Sequence, residues 1–267
     1  MNWLLHTLWL SALIYAGICF VYFIIQENFI FVPTLPGPNF TPRLHTEAEE
    51  HFIETSNHGR IHGLLLKVPG SRGLVFYLHG NTGSLKRWQF MAEEISGYGW
   101  DVFVMDYRGY GQSKGKRSEA IMHRDAEECY DKIAAGYEKT IVYGRSLGSG
   151  FAVRLTSRKK VRHLILETPF LNLADVASHH MPFVPVKFLL RYRFRNDFFI
   201  RHINCPVTLF HGTRDIVVPY QSALNLYNIA KIKGNAEMVT IVGGKHSNLN
   251  SFPLFRDELK KIFQKES

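Results

Sequence analysis

TIVYGRSLGSGFAVRLTS, residues 140–157, joins a short β-rich run to a helix-forming stretch through the pattern Gly-x-Ser-x-Gly. Ser146 is the serine of that pattern, and it lies where the strand should end and the helix begin. A sharp turn of this kind holds the serine backbone in a strained conformation, and the glycines on either side leave room for it. The segment therefore predicts a nucleophilic hydroxyl presented above the edge of a β-sheet.

The chain on both sides of this segment alternates short apolar runs with helix-length stretches. After a predicted β-hairpin over 51–57 and 60–69, the β-rich runs are 74–80, 101–107, 140–146, 161–167, 207–212 and 237–243. The helix-length stretches are 84–96, 118–135, 147–157, 220–232 and 248–264. Such alternation predicts an α/β fold, a mostly parallel sheet with helices on both faces. Residues 168–204 break the rhythm with aromatic, proline and arginine residues, and we expect them to form a short cap.

A serine hydroxyl is a weak nucleophile at neutral pH, so it needs a nearby base and a carboxylate that orients the base. Asp215 directly follows one of the predicted strands, and His246 follows the last one. These positions predict Asp215 as the acid and His246 as the base, in the chain order serine, acid, histidine. Asp215 as a simple helix cap is the competing interpretation, and the weaker rivals for the acid are Asp175 and Asp197.

The tetrahedral intermediate of acyl transfer also needs hydrogen-bond donors for its oxyanion. The backbone N–H of Leu147 is one candidate, because this residue follows the serine at the start of a helix. The second candidate is the N–H of Asn81, in the loop HGNTG over residues 79–83 that follows the first strand after the hairpin. We therefore predict an oxyanion hole formed by Asn81 and Leu147.

The N-terminal segment from Trp3 to Ile25 contains no formally charged side chain. A helix of this length spans a hydrocarbon core of about 30 Å at about 1.5 Å per residue. Trp3, Trp9 and Tyr22 lie towards its ends, where amphipathic rings favour the membrane interface. A cleaved signal peptide is disfavoured, because no Lys or Arg precedes an apolar run longer than the usual 7 to 15 residues.

These features divide the chain into three predicted parts. Residues 1–26 are a single-pass transmembrane anchor, 27–45 a Pro-rich spacer, and 46–267 the catalytic domain with the cap at about 168–204. The spacer prolines are Pro33, Pro36, Pro38 and Pro42. Few basic residues flank the anchor, so the positive-inside rule leaves the side of the membrane open.

Composition excludes several other classes. The 267 residues carry a net charge of +9, but the basic residues are scattered, and no zinc-finger or RNA-recognition signature accompanies them. We therefore expect no nucleic-acid partner. The three cysteines form no metal or disulfide pattern, and no P-loop or complete GxGxxG is present, so neither a metal nor a cofactor is implied.

Six motifs together resemble the α/β-hydrolase superfamily, and in particular its membrane-anchored serine hydrolases of the abhydrolase-domain type. The motifs are YLHGNTGS (77–84), VFVMDYRGYGQS (102–113), YGRSLGSG (143–150), ETPFLNLADVA (167–177), HGTRDIVVP (211–219) and GGKHSNL (243–249). The resemblance covers about Phe52 to Phe263. Similar anchored proteins include lysophospholipid and monoacylglycerol lipases and enzymes that remove palmitate from cysteine. The resemblance therefore implies an acyl ester or thioester substrate.

The cap supports a lipid-like substrate independently. Its apolar residues are Met181, Phe183, Val184, Phe188, Leu189 and Leu190, and its basic neighbours are Lys187, Arg191, Arg193 and Arg195. Such a stretch suits a membrane surface or the entrance for an acyl chain, although a cap that only packs on the domain has the same composition. We predict a tethered serine esterase or thioesterase. The alternatives are a serine peptidase of the same fold and a non-catalytic anchored scaffold.

Overall fold

The computed structural model describes residues 2–34 and 40–266, and its centre is an eight-stranded sheet. The strands are β1 (Glu47–Thr55), β2 (Gly59–Lys67), β3 (Leu74–Leu78), β4 (Asp101–Met105), β5 (Thr140–Arg145), β6 (His163–Glu167), β7 (Val207–Gly212) and β8 (Ala236–Ile241). Their spatial order is β1-β2-β4-β3-β5-β6-β7-β8. Strands β1, β2 and β4 pair antiparallel, and all further pairs are parallel. The predicted hairpin and mostly parallel sheet are confirmed.

The helices lie in three places: most cover the two faces of the sheet, some form the cap, and one is the N-terminal helix. They are α1 (Asn2–Ile30), α2 (Leu85–Ser96), α3 (Glu119–Ala134), α4 (Leu147–Thr156), α5 (Leu173–His180), α6 (Val186–Leu189), α7 (Asn196–Phe199), α8 (Tyr220–Ala230) and α9 (Pro253–Lys265). Successive residues of β3 point to opposite faces. Leu74, Phe76 and Leu78 join the core formed with α3, α4 and α8, whereas Val75 and Tyr77 join the core formed with α2 and α9.

The cap lies between β6 and β7. It consists of α5, α6, α7 and a 3₁₀ turn over Ile200–His202, and no strand occurs in this part of the chain. The side chain of Asn172 accepts a hydrogen bond from the Asp175 amide at 2.9 Å and so caps the start of α5. The structure thus has a helical insertion between β6 and β7, where the sequence predicts a cap at about 168–204.

Helix α1 continues beyond the predicted boundary at residue 26 and ends at Ile30. Residues Trp3–Ile30 are long and apolar enough to cross a membrane, and most of their apolar side chains are exposed. The exception is one face of the C-terminal half, where Tyr22, Gln26 and Ile30 are buried against the cap. Tyr22 therefore contacts protein, and not the membrane interface as the sequence suggested.

The predicted spacer, residues 27–45, is not a free extended segment on either side of residues 35–39. The aromatic ring of Phe31 is buried between those of Tyr110 and Tyr192, and the pair Val32–Pro33 forms a short parallel ladder with Thr82–Gly83. Further along, Phe40 and Leu44 pack against the core beside α2. Apolar and aromatic side chains thus hold residues 31–33, 40 and 44 on the domain. Residues 35–39, which include Pro36 and Pro38, lie outside the described residues.

Candidate active site

Ser146 lies at the turn between β5 and α4, with φ of 50° and ψ of −117°. This left-handed conformation is strained for a residue with a side chain. The two flanking glycines are needed for close packing: a Cβ on Gly148 would lie 1.9 Å from the Leu78 carbonyl oxygen, and one on Gly144 would lie 2.5 Å from the Cβ of Ala152. The Gly-x-Ser-x-Gly pattern therefore presses the start of α4 against the end of β3 and leaves the serine at the sheet edge.

The three predicted catalytic side chains meet at this edge. His246 Nε2 lies 3.0 Å from Ser146 Oγ, and His246 Nδ1 lies 2.8 Å from Asp215 Oδ2. The loops after β5, β7 and β8 supply one side chain each, although the chain separates them widely. The result is a continuous hydrogen-bonded relay from a buried carboxylate to a hydroxyl.

Asp215 is fixed in this relay by its own loop. Its Oδ1 accepts hydrogen bonds from the amides of Val217 and Val218, both at 2.9 Å. Burial alone would raise the pKa of the Asp215 carboxyl, but the hydrogen bonds and charge interactions with His246 and the Val218 amide outweigh it and lower the pKa. The carboxylate is therefore ionised at neutral pH and aimed at the imidazole. Asp175 and Asp197, the rival acids, do not join the relay; Asp175 lies in α5 and Asp197 pairs with Arg195.

Asn81 and Leu147 both line the pocket above Ser146. The amide of Leu147 is the first of α4, so it has no partner within the helix. The loop that carries Asn81 is held from below, because the Tyr110 hydroxyl donates to the Asn81 carbonyl at 2.6 Å and Val32 N–H donates to the same oxygen at 2.9 Å. Two backbone amides therefore remain candidates for the oxyanion hole.

Arg145 is a residue of this site that sequence reasoning missed. Its guanidinium donates to the His246 carbonyl at 3.2 Å and lies 3.3 Å from Glu167 Oε1. The Tyr143 hydroxyl donates to the other oxygen of Glu167 at 2.8 Å, and Ser146 N–H donates to the Glu167 carbonyl. Arg145 thus ties the histidine loop to the strands beneath the serine. Only the tertiary structure reveals this contact, because Arg145 occupies a variable position of Gly-x-Ser-x-Gly and the motif does not require an arginine there.

An apolar pocket of about 280 Å³ opens above Ser146. Helix α5 forms one wall through a single stripe of residues: Leu173, Val176, Ala177 and His180. Helix α1 forms the opposite wall through Tyr22, Gln26, Phe29 and Ile30. The α1 wall was also missed. Its sequence signal is Gln26 and Glu27, since polar side chains at the end of an apolar helix are expected to face protein.

The sequence of this chain is similar to those of known proteins. A family model described as serine aminopeptidase, S33, matches residues 69–196. The lysophosphatidylserine lipase ABHD12 of Macaca fascicularis is 34% identical over 189 residues, which is 61% of this chain and 46% of that protein. The α/β hydrolase domain-containing protein WAV2 of Arabidopsis thaliana is 29% identical and covers 73% of this chain and 72% of its own length. The chain is therefore similar to α/β-hydrolases of the abhydrolase-domain type.

Solved structures agree with this fold. An esterase from Pyrococcus furiosus superposes on this chain with a TM-score of 0.72 at 23% identity, over 89% of this chain and 96% of that one. Est1E from Butyrivibrio proteoclasticus, bound to ferulic acid, gives a TM-score of 0.64 at 18% identity, over 81% and 98% of the two chains. The chain spans about half the length of the ABHD12 relatives that it matches.

No metal centre is evident in residues 2–34 and 40–266 of the chain. Within these ranges no group of three or more His, Cys, Asp or Glu side chains is arranged to hold a metal ion. The Asp215 carboxylate and the His246 imidazole are engaged in the relay, and His211 lies 3.7 Å from Asp215 as a buried neighbour.

Proposed function

We propose that this α/β-hydrolase is a membrane-tethered serine hydrolase that cleaves lipid-like carboxylic esters or thioesters through an acyl-enzyme. The observation that carries the proposal is the relay of Asp215, His246 and Ser146 at the floor of an apolar pocket. An alcohol, an imidazole and a carboxylate in this arrangement are the parts that acyl transfer requires.

In the proposed mechanism, Ser146 Oγ attacks the substrate carbonyl carbon while His246 Nε2 takes the hydroxyl proton. The ionised Asp215 stabilises the imidazolium that forms and keeps it oriented. The amides of Leu147 and Asn81 donate to the oxyanion of the tetrahedral intermediate. His246 then delivers the proton to the departing alcohol or thiol as the C–O or C–S bond breaks. Water repeats the sequence on the acyl-serine and releases the carboxylic acid.

The substrate class follows from the pocket and from the relatives. Aliphatic and aromatic side chains of α1 and the cap line most of the cavity next to Ser146, which favours an acyl chain over a polar group. ABHD12 is named a lysophosphatidylserine lipase, and the structural neighbours include esterases. Both observations support an ester with an apolar acyl part.

Membrane attachment is the second element of the proposal. Helix α1 is long and apolar enough to cross a bilayer, and its N-terminal half exposes aromatic and aliphatic side chains on all sides. Burying this surface in lipid removes it from water, which is worth roughly 25 cal/mol per Å² of apolar area. We therefore assign α1 as a single-pass anchor beside the catalytic domain.

A serine peptidase is the alternative, and the description of the matching family model favours it. An aminopeptidase must bind the positively charged amine of its substrate, and a desolvated cation needs an anionic partner. The residues that line the pocket include no aspartate or glutamate. The pocket therefore favours an uncharged acyl group over a peptide N-terminus.

A substrate panel tests the proposal. Full-length protein in detergent should hydrolyse p-nitrophenyl esters and long-chain lysophospholipids and leave aminoacyl p-nitroanilides intact. Ser146→Ala should reduce the ester rate by a factor of about 10⁶. Faster cleavage of the aminoacyl amides would support the peptidase, and equal ester rates for wild type and Ser146→Ala would exclude Ser146 as the nucleophile.

A further inference from the structure

A second apolar cavity, of about 440 Å³, lies further along α1 from the active-site pocket. Its α1 wall consists of Ile18, Val21, Tyr22, Ile25 and Phe29, and its other wall is the cap segment His180–Val184. Tyr22, Phe29, His180 and Met181 line both cavities. The two cavities are therefore adjacent, and together they extend from Ser146 between α1 and the cap towards the N-terminus of α1. We refer to this pair of adjacent cavities as the cleft.

Helix α1 is docked firmly enough to serve as a wall of this cleft. The Gln26 side chain donates to the Leu189 carbonyl at 3.1 Å and accepts from the Arg191 amide at 2.8 Å. The adjacent Glu27 carboxylate accepts a hydrogen bond from the Tyr192 hydroxyl at 2.9 Å and pairs with Arg191. These polar contacts fix the rotation of α1, so its remaining residues face the cap in a defined register.

The distal end of the cleft lies at membrane depth if α1 spans the bilayer. The Tyr15 hydroxyl donates to the Phe183 carbonyl at 3.0 Å, so the tip of the cap reaches the middle of α1. From residue 15 to residue 30 the helix rises about 22 Å at about 1.5 Å per residue, and the whole of α1 exceeds the hydrocarbon core of about 30 Å. Phe183 and Phe188 are 87% and 88% exposed, which is costly in water and favourable in lipid.

We propose that the cleft between α1 and the cap is an acyl-chain passage that opens into the bilayer. The substrate then keeps its acyl chain in the hydrocarbon region while its carbonyl reaches Ser146. This inference rests on the proposed esterase function and adds to it a route of access and a role for α1: the anchor helix is also a specificity-determining wall of the binding site.

The dimensions and lining of the cleft favour an acyl chain as its occupant. An α-helix with its side chains is about 10–12 Å across, so the cavity of about 280 Å³ next to Ser146 admits a single slender chain and not a docked helix. The lining is apolar along the distal cavity, where a peptide would leave its backbone amides and carbonyls without partners. One end of the cleft is at Ser146, the proposed nucleophile. A substrate must reach that residue, whereas a protein partner that only docks on the surface need not.

Adjacent isoleucines of α1 provide a matched test. Ile25 lines the distal cavity, whereas Ile24 lines neither cavity and is 55% exposed. In Ile25→Trp the added ring volume should obstruct the passage. The ratio of kcat/KM for hexadecanoyl over butanoyl p-nitrophenyl ester should then fall roughly tenfold, the size expected for methylene contacts in an apolar pocket. Ile24→Trp should leave both rates and their ratio unchanged.

The outcomes separate this inference from the proposed function. Wild-type protein that hydrolyses neither ester would overturn the function itself. A wild type that is active, together with an unchanged chain-length ratio in Ile25→Trp, would overturn the passage alone. Equal changes in Ile25→Trp and Ile24→Trp would also contradict it, because they would report a general disturbance of α1.

A photoreactive probe gives an independent readout that does not depend on turnover. A long-chain alkyl fluorophosphonate with a terminal diazirine should attach to Ser146 and, on irradiation, cross-link to α1 or to the cap tip near Phe183. Peptide mass spectrometry identifies the second site. Cross-links confined to the far side of the domain, such as the β1–β2 hairpin, would contradict a passage along α1.

Discussion

The catalytic loops and the wall formed by α1 and the cap face each other across one pocket, but different interactions hold them. The loops carry buried polar groups joined by short, directed hydrogen bonds, such as the 2.8 Å contact between His246 and Asp215. The wall consists mainly of apolar side chains, with a few polar contacts around Gln26 and Glu27. Directed bonds fix atoms for one reaction, whereas apolar surfaces bind any chain of suitable length. The comparison indicates that chemistry and selectivity reside in separate parts of the molecule.

Removal of the base should give the largest effect, and it should act on every substrate alike. In His246→Ala nothing within hydrogen-bond distance can take the Ser146 proton, so kcat should fall by a factor of about 10⁶. Stopped assays with butanoyl and hexadecanoyl esters measure the loss for both chain lengths. A loss that depends strongly on chain length would contradict the separation of chemistry from selectivity.

Loss of the Arg145 contacts with His246 and Glu167 should also lower kcat, by a smaller factor than loss of His246 itself. Arg145→Met frees the His246 carbonyl and leaves the buried Glu167 carboxylate without its cationic partner, so both kcat and the melting temperature should fall. We expect a decrease in kcat of roughly ten- to a hundredfold, the scale of a misplaced catalytic group.

The double variant Arg145→Met/Glu167→Gln provides the control for that prediction. It removes the unpaired buried charge, so the melting temperature should recover while kcat stays low. Recovery of kcat together with stability would show that Arg145 acts only as a structural residue and does not position the histidine loop.

A change in the docking of α1 should alter selectivity rather than chemistry. The Glu27 carboxylate interacts with Tyr192, Arg191 and Arg117. Burial is the larger cause and the Glu27 carboxylate the smaller cause that raise the pKa of Tyr192 to about 12, so the phenol remains a hydrogen-bond donor. Glu27→Gln keeps an acceptor but removes the charge, so it should lose only part of the roughly 1.5–3 kcal/mol that a hydrogen bond to a charged group contributes. The looser α1 should then lower the ratio of long-chain to short-chain kcat/KM several-fold.

Glu54→Gln is the matched control, because Glu54 forms an exposed ion pair with Arg60 away from the pocket. Exposed pairs of this kind contribute about 0–1 kcal/mol, so neither the ratio nor the rates should change. A change of equal size in both variants would remove the special role of Glu27.

The smallest effect concerns stability in mild acid. Burial lowers the pKa of four imidazoles below the usual value of 6.5, those of His62, His123, His163 and His211. Below about pH 6.5 these imidazoles are protonated in the unfolded chain but remain neutral in the folded chain. Their contribution to the free energy of unfolding is therefore complete above that pH and decreases as the pH falls.

Unfolding by urea at several pH values in the same detergent measures this dependence. Each neutral buried imidazole contributes a slope of at most about 1.4 kcal/mol per pH unit. His123→Phe, which replaces an imidazole that packs between Phe151 and Phe194, should remove one such contribution. An unchanged slope would show that His123 does not titrate between the two states.

Sequence patterns predicted the sheet and the meeting of Ser146, His246 and Asp215 at its edge, because both depend on local order along the chain. A β-rich run followed by Gly-x-Ser-x-Gly and a helix fixes where Ser146 points, and strand ends fix the positions of Asp215 and His246. The pocket walls were harder. An apolar stripe such as Leu173, Val176 and Ala177 has the same pattern whether it faces lipid, core or ligand.

The contacts of α1 could not be predicted for the same reason. Glu27 meets Arg191 only after the cap has folded, and no periodic pattern links positions so far apart in the chain. Prolines at 33, 36, 38 and 42 suggested an extended spacer, but the neighbouring ring of Phe31 is buried and that of Phe40 is partly buried against the domain. Here the free energy of aromatic burial outweighs the local preference of proline.

The reaction of the full-length protein with a fluorophosphonate, followed by peptide mass spectrometry, tests the central claim most directly. The relay of Asp215, His246 and Ser146 predicts one adduct on Ser146, its absence from Ser146→Ala and its formation at a greatly reduced rate in His246→Ala. An adduct that persists in Ser146→Ala, or that forms on another serine of the wild type, would contradict the account.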